Sequence, residues 1–311
     1  MPGAHLLHSV SGDSGRGLKH PSPLRYPGGK GGLAPFLADL IELNGLGGCA
    51  YFEPYAGGAG AALSLLQCGA VAYAHINDAD PRIFAMWRAI LDENARFVDR
   101  ILDVPLNIVE WRRQQAICAA ADEGDMFALG FSAFYMNRCN RSGVLRNAGP
   151  IGGMSQDGAW RLDVRFNRED LASRIRRLGD VRAYIRVTGL DAIDFLKNQL
   201  PSGRGRARAF VYADPPYVVK GRKLYLNAYS PGDHATLAGY LGRQATLPWL
   251  VSYDDTPLVR QLYSDHQLVP LPIRYSLNIK RSAQELLIAP NRLYLPAAGR
   301  SVRGAQYVQP S

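Results

Sequence analysis

Only four cysteines occur in the 311 residues, Cys49, Cys68, Cys118 and Cys139, and no two lie close together. That spacing excludes a metal knuckle or a disulfide scaffold and suits a reducing cytoplasm. No apolar run approaches the roughly 20 residues needed to cross a bilayer, so no membrane partner is expected. The first twenty residues lack an apolar stretch followed by a small-residue cleavage site, so no secretory signal is expected. Lysine is scarce too: it supplies six of the 36 basic residues. Two familiar phosphate motifs are also missing. There is neither a Gly-x-Gly-x-x-Gly turn nor a Gly-Lys-Ser/Thr loop, which speaks against a dinucleotide or a nucleoside triphosphate.

What is present is ordinary globular composition, 47% hydrophobic and 20% charged, with a net charge of +9 carried mainly by arginine. A basic balance of this kind makes a polyanion a candidate partner. Residues 1–20 read as a flexible arm and 297–311 as a flexible tail. Between them, strand-like runs at 49–53, 71–76, 183–188, 208–213, 248–252, 267–275 and 285–290 alternate with helical patterns at 59–69, 81–91, 190–199, 233–243 and 257–264. Such alternation predicts an α/β fold with a mostly parallel sheet covered by helices on both faces. The last two runs are too close in sequence for a helical crossover, so an antiparallel strand is expected at that edge.

The stretch from 96 to 182 breaks the alternation and reads as a smaller, largely helical insert between the second and third strands. Residues 107–136 look helical, and the stretch 137–182 after them holds ten arginines against five acids. The remaining segments, 21–95 and 183–296, would form the sheet domain.

Four segments carry the chemistry. In Tyr51–Gly60 a strand ends at Glu53, and Pro54, Tyr55, Gly57, Gly58 and Gly60 form a small-residue turn that lets a ligand approach the backbone. After the next strand, Asp78 is placed to accept hydrogen bonds from a ribose, whereas Asp80, ahead of Pro81, is suited to capping a helix. The third segment is Asp214-Pro215-Pro216-Tyr217. There the Asp214 carboxylate and the Pro215 carbonyl can each accept one N–H of an exocyclic amine, and Tyr217 offers a stacking ring. The fourth, Leu24 to Lys30, supplies Tyr26 as a stacking face and Lys30 as a cation for a ligand carboxylate.

In this order the four segments resemble the Dam-like (D12 class) adenine-N6 DNA methyltransferases, from about Leu24 to about Pro290. The resemblance implies a Rossmann-like class I methyltransferase sheet with an inserted target-recognition domain. It implies S-adenosyl-L-methionine as cofactor, held by Tyr26, Lys30, Glu53 to Gly60 and Asp78, with Asp214 to Tyr217 as the catalytic loop. Leu250 to Pro257 resembles the family's Ser-Asn-His-Asp-Thr-Pro segment, with Tyr253 and Asp254 where Asn and His are usual. Arg281 and Glu285-Leu286-Leu287 resemble its terminal strand. Asn137 to Asn147 is similar to the DNA-reading hairpin, which would bring Asn137, Arg138, Arg141 and Arg146 to DNA. Arg141 and Ser142 depart from that pattern, so the family's usual GATC target does not carry over.

The implied reaction moves a methyl group from the cofactor to N6 of an adenine flipped out of duplex DNA, and calls for no metal. Lys220, Arg222 and Lys223, on a segment 218–232 expected to close over DNA, add further contacts. Asp214 in place of Ser at the head of the loop favours adenine, with cytosine N4 and RNA adenine as alternatives. Cytosine C5 chemistry needs a nucleophilic cysteine, and none follows a proline in a strand-end loop. A partner restriction nuclease, a phage role and a host regulatory role all stay open; a monomer is the default.

Overall fold

The computed structural model describes residues 21–25, 30–218, 229–274 and 282–296. Seven strands form one sheet: β1 (Cys49–Glu53), β2 (Val71–Asn77), β3 (Ile185–Thr188), β4 (Ala209–Ala213), β5 (Trp249–Asp254), β6 (Gln267–Arg274) and β7 (Ser282–Ala289). Their order is β3-β2-β1-β4-β5-β7-β6. All pairings from β3 to β5 are parallel, and β7 runs antiparallel to both β5 and β6. The fold is therefore a mixed α/β one with an antiparallel edge, compatible with a Rossmann-like fold. The reversed strand is not itself outermost: β7 slots between β5 and β6. Pro270 and Pro272 explain why β6 takes the rim, since a strand lacking two N–H donors is tolerated only where one side needs no partner.

Side chains on the central strands alternate between two cores, as the pleat requires. Tyr51, Phe210, Tyr212 and Leu250 face one side; Phe52, Val211, Trp249 and Val251 face the other. The first side is covered by α1 (Ala34–Leu43), α2 (Gly60–Gln67) and α3 (Pro81–Asp92), the second by α8 (Ala192–Asn198), α9 (Pro231–Gly242) and α10 (Pro257–Leu262).

Between β2 and β3 the chain also forms α4 (Asn94–Asp103), α5 (Ile108–Ala120), α6 (Met126–Cys139) and α7 (Arg168–Asp180). The helical stretch expected over 107–136 consists of two helices. Ala121 ends α5 with a left-handed φ of 51°. Asp122 then caps a short 3-10 turn by accepting from Gly124 N, and Asp125 caps α6 by accepting from Ala128 N. These helices share the core of α3 rather than enclosing a separate one: Phe97, Phe131 and Phe134 join Trp87 in one cluster. At the crossing of α3 and α6, a Cβ on Gly130 would lie 2.4 Å from the Ala85 carbonyl oxygen, so only glycine permits that approach.

Candidate functional site

The chain runs outward from β1 to β2 and β3, then returns to β4 on the other side of β1. This reversal lies between β1 and β4, and in open α/β sheets ligands bind outside the strand carboxyl ends at such a point. Glu53 ends β1, Asp78 follows β2 and Asp214 follows β4, so the three acids marked by the sequence pattern share one edge. Burial raises the affinity of each for a proton. Asp214 and Asp78 both raise Glu53 further by charge repulsion.

The glycine turn after β1 is pinned from three sides. Asp78 Oδ2 accepts from Gly57 N at 2.8 Å, Trp87 Nε1 donates to the Gly57 carbonyl at 2.9 Å, and Ser22 Oγ donates to the Gly58 carbonyl at 2.6 Å. Gly57 has a φ of 45°. A Cβ on Gly60 would sit 3.1 Å from Gly31 N, so the turn presses backbone to backbone against the short 3-10 turn Lys30–Leu33. Asp78 also accepts from Asp80 N at 3.0 Å; burial still pushes its carboxyl up to about 7 against these two bonds. Asp80 caps α3, accepting from Arg82 N. Pro54 is buried in the turn, and the Tyr55 hydroxyl shares a 2.7 Å hydrogen bond with Tyr229.

Lys30 takes a different place from the one expected. Its ammonium is buried among Asp214 Oδ1 at 3.3 Å, the Tyr217 hydroxyl at 3.0 Å and Glu285 Oε1, so its donors are spent on the protein rather than held out for a ligand carboxylate. Burial opposes its charge, but Asp214, Tyr212 and Glu285 together outweigh that and hold the ammonium firmly protonated. Tyr217 is likewise buried, with its hydroxyl in this cluster. Behind Asp214, Ser252 Oγ donates to Oδ1 at 2.7 Å and pairs with the Tyr212 hydroxyl at 2.8 Å. Both contacts of Asp214 fall on Oδ1; among the described residues none donates to Oδ2.

No protein-family model matches the chain, and no curated protein matches it.

The residues expected to meet DNA are dispersed. No β-hairpin forms over 137–147: Asn137 and Arg138 lie on the last turn of α6, a 3-10 turn Arg141–Gly143 comes next, and one bridge joins Asn140 to Pro150. Asn137 is 1% exposed, which takes it out of reach of DNA. Its amide instead clasps Arg25, accepting from Arg25 N at 2.8 Å and donating to Arg25 O and Gly143 O at 2.9 Å each. Arg138 donates to the carbonyls of Arg165 and Pro23, so it does not project to a base. Arg141 and Arg146 are exposed. Tyr26, Lys220, Arg222, Lys223 and Arg281 lie outside the described residues.

Three further residues matter that local pattern does not single out. Asn77 ties the tips of β1, β2 and β3 together: its Nδ2 donates to Pro54 O and Leu190 O, and its Oδ1 accepts from Thr188 and Leu190 N. Ser252 and Glu285 complete the setting of Asp214 and Lys30. In the sequence Asn77 only precedes Asp78, and Ser252 and Glu285 lie within segments marked by resemblance without a role of their own.

Proposed function

We propose that the chain is an S-adenosylmethionine-dependent methyltransferase acting on N6 of adenine in duplex DNA. The observation that carries this reading is the meeting of Glu53, the glycine turn, Asp78 and the Asp214–Tyr217 loop at the reversal point of one sheet. The residues present suit the cofactor. Glu53 Oε2 is buried without a hydrogen-bond partner among the described residues, an acceptor that matches the ammonium of a methionine end. Asp78 keeps lone pairs beyond its two backbone bonds for ribose hydroxyls. Glu53 to Gly60 would hold the methionine end and Asp78 the ribose; Lys30 serves the catalytic carboxylate. When bound, the cofactor supplies a methyl group on a sulfonium, an already activated carbon.

The rest of the chemistry falls to Asp214 and its neighbours. An exocyclic amine conjugated with a purine ring is a poor nucleophile, and in a duplex it is stacked out of reach, so the base must be turned out and its nitrogen aligned. Ser252 and Lys30 fix Asp214 through Oδ1 and leave Oδ2 to accept one amine N–H, with the Pro215 carbonyl accepting the other. Positive charge that develops on the nitrogen is then stabilised by a carboxylate already held in place. Asp214 acts as an acceptor, since a carboxylate is far too weak a base to ionise a neutral aromatic amine beforehand.

Labelled cofactor offered with duplex DNA, RNA and peptide acceptors tests the reading. Label is expected in DNA as N6-methyladenine. Asp214→Ala is expected to abolish turnover while cofactor binding partly survives; near-normal methylation by that variant, or label only in RNA or peptide, would defeat the proposal.

A further inference from the structure

Four arginines gather around the short segment Ser22–Arg25. Arg138, from α6, donates Nη1 to the Pro23 carbonyl at 3.3 Å and Nε to the Arg165 carbonyl at 2.8 Å. Arg174, from α7, donates Nη1 to the Ser22 carbonyl at 3.3 Å. Arg25 is held through its backbone by the Asn137 clasp. Among the described residues the group contains a single ion pair, Arg174 with Asp170 at 2.9 Å.

Partly buried guanidiniums are normally met by carboxylates, because an uncompensated charge away from water is unfavourable. Here neutral carbonyls orient Arg138 and Arg174 without cancelling their charge. The crowding is felt: burial, with Arg25 and Arg174 adding to it, lowers Arg138 to about 10, and Arg25 is lowered by burial and by Arg165. An anion entering the group would relieve this repulsion, and guanidinium forks match the oxygens of a phosphate.

We infer that Arg25, Arg138, Arg165 and Arg174 form a seat for one backbone phosphate of duplex DNA. The inference rests on the proposed DNA substrate and assigns the group a positioning role rather than a base-reading one. Its location gives that role a purpose. Ser22, on the same segment, bonds the glycine turn at Gly58, and Lys30, five residues beyond Arg25, bonds Asp214. A phosphate fixed here sets the register of the duplex against the reacting edge.

The test is binding of the full chain to duplexes of several sequences, read by fluorescence anisotropy over a salt series, with cofactor affinity measured alongside. Arg165 is exposed, so Arg165→Gln leaves the packing intact; Arg174→Gln removes a second member. Each variant is expected to weaken binding several-fold at every sequence alike. Each should also lower the slope of log affinity against log salt by about one, with cofactor affinity unchanged. Arg208→Gln removes an equal charge at the opposite, amino end of β4 and is expected to keep the parent slope. Slopes equal to the parent's in both seat variants, or a loss confined to one sequence, would overturn the seat while leaving methyl transfer standing. A parent chain that binds no duplex DNA would overturn the seat and the proposed substrate together.

Discussion

At the sheet edge a single ammonium, Lys30, is enclosed by Asp214 and Glu285, whereas around Ser22–Arg25 four guanidiniums gather with one carboxylate among the described residues, Asp170. The first arrangement brings opposite charges into direct contact, one ammonium against two carboxyls, with Lys30 and Glu285 nearly sealed from water. The second carries surplus charge, and its arginines are half-buried or exposed. A cluster of directly paired opposite charges resists rearrangement and suits a carboxylate that must keep one orientation. A surplus of one sign held in place by carbonyls suits a partner that brings the opposite charge. The two are joined by one stretch of chain, 22–30, and the difference in charge handling fits the proposed division of labour between chemistry and docking.

The strongest way to break this contrast is Lys30→Met. It strands two buried carboxylates against each other, and removal of one member of a buried pair is expected to lower stability by about 3–5 kcal/mol. Urea unfolding measures this, and little or no loss would mean the cluster does not depend on Lys30. A smaller effect is expected from Gly143→Ala in the docking region. Gly143 has a φ of 71°, and a Cβ there would lie 2.3 Å from the Arg25 carbonyl oxygen, so the Asn137 clasp must open. A loss of about 1–3 kcal/mol is expected, with DNA affinity falling more than cofactor affinity in parallel titrations. Equal losses of both affinities would argue that the two regions do not divide the work.

The mildest test is a pH series on Asp78→Asn. The folded protein holds the Asp78 proton up to about 7, while the unfolded chain releases it near the ordinary carboxylate value of 3.8. The contribution of this group to stability is therefore fully present below about 4 and is lost as pH rises toward 7. Asp78→Asn is expected to flatten that part of the stability profile, as read by denaturation at stepped pH. An unchanged profile would show that the site edge is more open to water than its geometry indicates.

Much of the sheet edge is legible in the sequence because its determinants are local. Apolar runs set β1, β2 and β4, and the acids at or just past their ends, Glu53, Asp78 and Asp214, fall at the strand tips. The sequence marks Lys30 as a functional cation but points to the wrong partner, because Glu285 is 255 positions away and nothing local announces the pair. The break between α5 and α6 leaves a trace in the polar turn Asp122–Asp125, masked by the helical pattern on either side. The insert is least legible. Asn137-Arg138 looks like an exposed recognition pair, yet α6 buries Asn137 and turns it into a clasp on a segment 112 residues earlier. Gly130, ordinary within a helix pattern, proves to be where two backbones touch.

In the proposed function, Asp214 faces an adenine amine across a cofactor held by Asp78 and the glycine turn. Single-molecule sequencing of DNA from cells expressing the chain tests it most directly, since it reports the modified base and its context. The expected result is N6-methyladenine at a fixed sequence, absent from cells expressing Asp214→Ala. DNA without N6-methyladenine, or the same modification in both strains, would contradict it.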